Sequence, residues 1–219
     1  MNNILNTINQ QVVQYNANLI AVSKLKPNDA ILEMYELGQR RFGENYVQEL
    51  AEKAATLPID IEWHLIGHLQ SNKVKYVAPF VAMIHTVDSL SLLQEINKQA
   101  AKHERVISVL LQFKINDEAT KFGLYIQEAF EILNHETFSQ LKNIRIEGVM
   151  GMATFTENKA QVRHEFQALK SIFTNLKNQR FVDDLNFKHI SMGMSDDYDM
   201  ALEEGSTMIR IGSLLFGKR

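Results

Sequence analysis

The feature of this sequence that most constrains its fold is a regular alternation between short apolar runs and segments with helical spacing. A short apolar run bounded by polar or turn residues is typical of a buried β-strand, and the run 106–115 is the clearest case. The predicted strands cover residues 19–24, 41–45, 61–67, 83–87, 106–115, 144–152, 189–194 and 208–212. Strands that alternate with helices predict a parallel sheet of the α/β class, because each helix returns the chain to the same end of the sheet.

Helical segments separate these strands, and one further helix precedes the first strand. Ile4, Leu5, Ile8 and Val12 recur at helical spacing and predict that N-terminal helix. The helices between strands are predicted at 27–37, 46–57, 70–78, 89–102, 126–133, 159–177 and 196–204. Eight strands with intervening helices, in 219 residues without a linker, favour a TIM (β/α)8 barrel with an additional N-terminal helix. We expect residues 1–219 to form a single domain, and an open doubly wound sheet is the alternative.

Composition and charge exclude several classes of partner and site. The net charge of -3 gives no general electrostatic reason to bind nucleic acid or an anionic membrane. The absence of cysteine excludes disulfides, thiolate catalysis and Cys-ligated zinc. The sequence shows neither a secretory leader nor an apolar run long enough to span a membrane, so we expect a soluble, cytoplasmic protein. We also predict a monomer without a metal site.

Lys24 stands at the end of the first predicted strand, where a buried strand delivers an amine to a solvated site. An amine whose pKa is lowered by its surroundings can form a Schiff base with a carbonyl compound. The alternative is an ordinary surface lysine, which is the more common case at a strand end. Lys24 becomes informative only beside the other strand ends, because a (β/α)8 barrel brings the C-terminal ends of all its strands to one mouth.

The segments after the last two predicted strands are typical of anion-binding loops. Barrels often hold phosphate in these two loops, and the segment 191–197 fits the first of them. Ser195 in this segment is also a plausible N-cap of the following helix. In the second loop, Gly212 lets the backbone approach an anion and Ser213 adds a hydroxyl. The alternative for these residues is a capped helix and a tight turn without a ligand.

Arg210 interrupts the last apolar strand. Alternation places its side chain on the opposite face from Ile209 and Ile211, and a buried guanidinium needs acceptors. A core ion pair with an acidic residue is one explanation, and a ligand acceptor such as a ring nitrogen or a carboxylate is the other. A phosphate-binding loop, an amine and a ring-facing donor at one mouth describe a pyridoxal phosphate (PLP) site better than a sugar-phosphate site.

Several blocks of sequence carry a resemblance to a known family. They are AVSK at 21–24, FGENYVQE at 42–49, WHLIG at 63–67 with LQSNK at 69–73, and nearly all of 191–217. On these blocks the chain resembles the pyridoxal phosphate homeostasis protein family, the single-domain relatives of the alanine racemase barrel. The blocks extend from residue 19 to the C-terminus, so the resemblance covers almost the whole chain.

The resemblance implies a (β/α)8 barrel and a PLP site with defined residues. It makes Lys24 the Schiff-base lysine and places Arg210 opposite the pyridine nitrogen. The three serines and the glycine of the set would hold the phosphate, and the asparagine would line the pocket. The implied cofactor-binding residues are Lys24, Asn45, Ser191, Ser195, Arg210, Gly212 and Ser213.

A carrier and an enzyme both remain open as functions. Arg210 would leave the ring nitrogen unprotonated and the ring a weak electron sink, because arginine is a permanent donor. We also expect no additional β domain of the kind that supplies a tyrosine in alanine racemases, since the chain ends soon after the eighth strand. We therefore expect a PLP carrier without catalytic residues in vitamin B6 homeostasis, which buffers the cofactor or delivers it through transient contact with PLP-dependent apo-enzymes. A weak amino-acid racemase or a Schiff-base aldolase is the alternative.

Other residues near the predicted mouth are expected to play smaller parts. By the resemblance Lys26 and Lys121 are candidate second amines, although a role as solvated charges is favoured for both. His64 is expected to form a hydrogen bond within the barrel and to carry no chemistry. Methionines fill irregular core space well, and four of them are expected to fill the barrel interior rather than contact a ligand. These are Met150, Met152, Met192 and Met194.

Overall fold

Parallel strands close into a barrel in the computed structural model, which describes residues 2–116 and 122–217. The strands are β1 (Asn18–Val22), β2 (Arg41–Glu44), β3 (Glu62–Leu65), β4 (Met83–Val87), β5 (Ile107–Phe113), β6 (Ile144–Gly151), β7 (His189–Ser191) and β8 (Met208–Ile211). Each strand pairs with its neighbours in chain order, and β8 pairs with β1 to close the ring. The predicted TIM barrel is therefore confirmed, and the open doubly wound sheet is excluded.

Helices surround the barrel and cover its outer face. They are α1 (Asn2–Gln14), α2 (Asn28–Glu36), α3 (Val47–Thr56), α4 (Val74–Val77), α5 (Leu90–Lys102), α6 (Ile126–Asn134), α7 (Lys159–Arg180), α8 (Tyr198–Glu203) and α9 (Ser213–Phe216). The additional N-terminal helix is confirmed by α1. None of the helices in the described part of the chain is long and apolar enough to cross a membrane.

Two apolar clusters fill the molecule on either side of the strands. The larger one joins strand residues such as Val109 and Ile209 to helix residues such as Leu93 and Phe166. The smaller one is formed by four residues from β4, β5, β6 and β8, which can meet only across the barrel lumen. These are Met83, Leu110, Met150 and Met208. Because side chains alternate along a strand, Arg210 faces the same lumen as Met208, two residues before it.

The register of the barrel determines which strand ends are neighbours at its mouth. In the β1–β8 pair, Ile20 lies opposite Arg210 and Ala21 opposite Ile211. The turn that carries Lys24 therefore leaves the barrel beside the residues that follow β8. All strands run parallel, so polar residues just beyond their C-terminal ends meet at this mouth, as the sequence predicts.

Candidate functional site

A cavity of ≈ 300 Å³ opens at the C-terminal ends of the strands. This volume lies at the lower end of the usual range for small-molecule pockets. Residues at or beyond the ends of β1, β2, β3, β6, β7 and β8 contribute to its wall. Of the residues predicted to form the site, all but Ser191 line it: Lys24, Asn45, Ser195, Arg210, Gly212 and Ser213.

Part of the cavity lining is apolar, and the sequence did not reveal it. The apolar lining residues include Val22, Ile66, Met152 and Met194. Met150 and Met192 are buried, as predicted, and Met152 packs against the lumen cluster, but Met152 and Met194 also line the cavity. Both lie beyond the last residue of their strands, β6 and β7, where the alternation of a strand no longer determines the direction of a side chain.

Lys24 lies in a tight turn between β1 and α2. The N–H of Lys26 donates to the carbonyl oxygen of Ser23 at 3.0 Å, which places Lys24 and Leu25 at the two central positions of the turn. Leu25 has a φ of 60°, in the left-handed region. Lys24 and Lys26 are both half-buried and both line the cavity. The ammonium of Lys26 donates to the carbonyl oxygen of Phe216 at 2.8 Å and so holds the end of α9 at the mouth.

Two loops meet at the solvent side of the cavity, one after β7 and one after β8. The N–H of Gly212 donates to the hydroxyl of Ser195 at 3.3 Å and joins them. The prediction that Ser195 caps the following helix is wrong, because α8 begins at Tyr198 and its N-cap position is Asp197. The Asp197 carboxylate accepts from the N–H of Met194 at 2.5 Å and so closes the first loop itself. Burial raises the pKa of Asp197 above its ordinary value.

Arg210 is buried inside the barrel mouth, with only 4% of its surface exposed. Its Nη1 donates to the hydroxyl of Ser191 at 2.6 Å, and its Nη2 donates to the carbonyl oxygen of Gly151 at 3.1 Å. Both acceptors are neutral, and no carboxylate among the described residues accepts from this guanidinium. Burial lowers the pKa of Arg210 to about 10, and the charge of Asp197 opposes that effect. The structure thus does not show the core ion pair that was one explanation of this residue.

Ser191 belongs to a hydrogen-bonded chain behind Arg210 rather than to the cavity wall. It is fully buried, and its hydroxyl lies 2.9 Å from Nδ1 of His85. Nε2 of His85 lies in turn 2.8 Å from Nδ1 of His64, which confirms the hydrogen bond expected for His64. Burial lowers the pKa of His64 to about 3 and the pKa of His85 well below its usual range, so both rings are neutral near pH 7. A neutral ring both donates and accepts, as this chain requires.

His85, the central residue of this hydrogen-bonded series, was not identified from the sequence. It interrupts the apolar strand β4 in the way that Arg210 interrupts β8, and this signal could have identified it. Asn45 lines the cavity, as predicted. Gly67 allows this arrangement, because a Cβ at Gly67 would lie only 2.2 Å from the carbonyl oxygen of Asn45.

Lys121, a candidate second amine, lies outside the described residues.

Comparison with known proteins identifies the family of this chain. The family model of the alanine racemase N-terminal domain matches residues 2–219. A pyridoxal phosphate homeostasis protein of Aquifex aeolicus is 39% identical over 204 residues, which are 93% of this chain and 87% of that protein. This chain belongs to the pyridoxal phosphate homeostasis protein family. These matches confirm the family resemblance indicated by the sequence blocks, and they cover more than nine-tenths of this chain.

Solved structures agree with the barrel of this family member. PipY of Synechococcus elongatus, solved without PLP, is 36% identical, with a TM-score of 0.90 and coverage of 99% of each chain. The same protein solved with PLP bound is 38% identical, with a TM-score of 0.83 and coverage of 92% of this chain and 93% of PipY. The (β/α)8 barrel is therefore shared with a solved structure at substantial sequence identity.

Proposed function

We propose that this protein binds PLP in the cavity through a Schiff base on Lys24 and serves as a reversible carrier of the cofactor. The observation that carries the proposal is the meeting of a lysine, a buried arginine and two polar loops around one cavity. The structure of PipY with PLP bound supports the choice of cofactor. The name of the relatives supports a part in intracellular vitamin B6 homeostasis, by buffering or delivery.

The residues of the cavity fit this cofactor in charge and polarity. The lining includes the guanidinium of Arg210, a fixed donor with only neutral partners among the described residues. It also includes the hydroxyls of Ser195 and Ser213 and the N–H of Gly212, which are donors suited to a phosphate. The apolar lining residues Val22, Ile66, Met152 and Met194 suit the faces of a planar ring.

Each residue has a separate task in this proposal. The bound cofactor supplies an aldehyde, with which the Lys24 amine condenses to a C=N bond with release of one water molecule. The hydroxyls of Ser195 and Ser213 would hold the phosphate together with the N–H of Gly212, which bonds to Ser195 in this structure, and Asn45 would line the pocket. Arg210 would face the ring nitrogen and leave it unprotonated, because a guanidinium does not give up its proton near neutral pH.

The composition of the cavity wall favours a carrier over a catalyst. An unprotonated ring is a weak electron sink, and amino-acid chemistry also needs an acid or base besides the lysine. Among the described lining residues, the titratable side chains other than Lys24 are those of Lys26, Asp196 and Arg210, with no histidine or tyrosine.

We further propose that the carrier is cytoplasmic and monomeric and that residues 1–219 form one PLP-binding domain. It would meet PLP-dependent apo-enzymes only transiently.

Titration of the protein with PLP, followed by the visible absorbance of the Schiff base, tests the binding site. We expect the band in the wild type and in Lys26→Ala, and its loss in Lys24→Ala and Lys24→Arg. The Lys26 variant is a matched control, because both lysines line the same cavity on the same turn. A wild-type protein with no spectral response to PLP would contradict the cofactor assignment.

Assays of turnover test the carrier role separately. PLP-loaded protein is incubated with L- and D-amino acids, and their conversion is followed over time. We expect no sustained conversion by the wild type above that of Lys24→Ala. Sustained racemisation that depends on Lys24 would overturn the carrier in favour of a racemase.

A further inference from the structure

The turn that presents Lys24 is strained at the residue that follows it. Leu25 has a φ of 60°, a conformation that costs an L-residue about 1–2 kcal/mol and that turns usually assign to glycine. Leu25 is also exposed, so burial of its side chain does not offset this cost. Strain of this kind persists only where neighbouring structure holds the backbone in place.

A buried cluster from β2 and α3 lies beneath this turn. The ammonium of Lys53 donates to the carbonyl oxygen of Ser23 at 2.8 Å, to Oε1 of Glu44 at 2.8 Å and to Oε1 of Glu49 at 2.6 Å. These bonds use all of the donors that an ammonium has. The side chains of Lys53, Glu44 and Glu49 are 7%, 0% and 19% exposed. Lys53 therefore ties helix α3 to the residue just before Lys24.

The two carboxylates of the cluster hold the turn on both sides of Lys24. Oε1 of Glu49 accepts from the N–H of Leu25 at 2.6 Å, and Oε1 of Glu44 accepts from the hydroxyl of Ser23 at 2.6 Å. The N–H of the strained residue is thus bound by a carboxylate that is itself fixed by Lys53. Charge-assisted hydrogen bonds of this kind are about twice as strong as neutral ones.

The cluster is poorly explained as a device for global stability. Two carboxylates share one buried ammonium, and their Oε2 atoms are buried without a hydrogen-bond partner among the described residues. Burial raises the pKa of Glu44, which reflects the cost of holding its charge there. Apolar side chains of similar volume often stabilise a protein as well as a buried ionic group does. What this group provides and apolar residues cannot is a fixed set of acceptors and donors for the turn.

We propose that Glu44, Glu49 and Lys53 are positioning residues that hold the strained turn 23–26 and thereby aim the amine of Lys24 into the cavity. The inference rests on the proposed function, because its effect is on Schiff-base formation at Lys24. Without the cluster, the turn relaxes at Leu25 and the amine samples orientations that do not face the cavity.

Kinetics of PLP addition to variants of Glu49 test this role. We expect Glu49→Ala to slow Schiff-base formation and to weaken PLP binding by about tenfold, since the Leu25 N–H and the Lys53 ammonium each lose the bond to this carboxylate. Glu49→Gln keeps an acceptor for the Leu25 N–H, so it should recover most of that loss. Stopped-flow absorbance gives the rate, and equilibrium titration gives the Kd.

Removal of the strain provides a second, independent readout. Glycine adopts a positive φ without cost, so Leu25→Gly combined with Glu49→Ala should regain a large part of the rate lost in Glu49→Ala alone. A purely structural role would not produce this rescue. The matched control is Glu128→Ala, which removes a helix carboxylate that accepts from the N–H of Tyr125 at 2.7 Å, away from the cavity, and should leave the rate unchanged.

The outcomes separate this inference from the proposed function. A folded Glu49→Ala with wild-type rate and Kd, or a double variant no faster than Glu49→Ala, would overturn the positioning role while leaving Lys24 as the binding residue. If Glu49→Ala does not fold, Ser23→Ala removes only the bond to Glu44 and should slow the reaction about threefold. An unchanged rate in that variant would equally overturn the inference. Failure of the wild type to form the Schiff base contradicts the proposed function itself.

Discussion

At the scale of single residues, the site combines the half-buried amine of Lys24 with a buried arginine, Arg210, whose hydrogen-bond partners are neutral. Alternation along β8 was enough to predict that Arg210 faces inward. Its partners could not be predicted, because Ser191 and Gly151 come from β7 and β6 and are brought near only by barrel closure. The resemblance assigned Ser191 to the phosphate. In this structure Ser191 is fully buried and accepts a hydrogen bond from Arg210.

The buried histidines predict how stability depends on pH. In the folded protein His64 and His85 stay neutral well below their ordinary pKa, whereas in the unfolded chain both bind a proton below about pH 6.5. The free energy of unfolding is therefore unaffected by them above that pH. It falls as pH drops below it, by about 1.4 kcal/mol per pH unit for each histidine.

Urea denaturation at a series of pH values between about 7 and 5 measures this dependence. We expect His64→Leu to reduce the slope of the free energy of unfolding against pH by the contribution of one histidine, about 1.4 kcal/mol per pH unit. His103→Gln, a change at an exposed histidine, is the control and should keep the wild-type slope. An unchanged slope in the His64 variant would show that this histidine is not held neutral in the folded state.

At the scale of elements, the existence of every strand was predictable but several boundaries were not. The predicted strand 189–194 ends at Ser191 in the structure, and the predicted strand 61–67 ends at Leu65. In both cases the apolar run continues past the last strand residue. The apolar residues Met194 and Ile66 beyond these strand ends line the cavity. Hydrophobicity alone does not distinguish a core position from a cavity wall.

Two short helical segments were missed or only partly predicted from the sequence pattern. The helix α9 spans only four residues, too few to show helical periodicity, and it was not predicted. The helix predicted at 70–78 is in fact a 3-10 turn, Ser71–Lys73, followed by α4. The turn at Leu25 was missed because leucine gives no sequence signal for a positive φ.

The pairing of β6 with β7 depends on one glycine. Gly148 has a φ of 152°, and a Cβ there would lie 1.8 Å from the carbonyl oxygen of His189. It also pairs with Leu110 at the point where the register of β5 and β6 shifts. A side chain at this position must separate two strands of the barrel.

We expect Gly148→Ala to lower the free energy of unfolding by about 3 kcal/mol or more, through this collision and the backbone strain. Gly38→Ala is the matched control, because Gly38 has a φ of 94° but no atom within 4 Å of the position that an added methyl group would take. That variant should lose only about 1 kcal/mol, from backbone strain alone. Denaturant unfolding of both proteins measures the difference, and equal losses would refute the steric explanation.

At the scale of the whole molecule, barrel closure turns distant residues into one site. Lys24 and Arg210 lie near opposite ends of the chain, yet the β1–β8 pairing places them on the wall of the same cavity. The sequence predicts this convergence, because strand ends of a (β/α)8 barrel share one mouth. It does not predict the apolar part of the cavity lining or the cluster beneath the Lys24 turn, since both depend on loops and on side-chain directions that follow no period.

Mass spectrometry after borohydride reduction of the PLP-loaded protein tests the central claim most directly. Reduction fixes a Schiff base as a stable secondary amine, so the modified lysine can be located in a peptide digest. We predict one pyridoxyl group on Lys24 and none in Lys24→Arg. A pyridoxyl group on Lys26 or another lysine, or none at all in the wild type, would contradict the assignment of Lys24 as the residue that holds the cofactor.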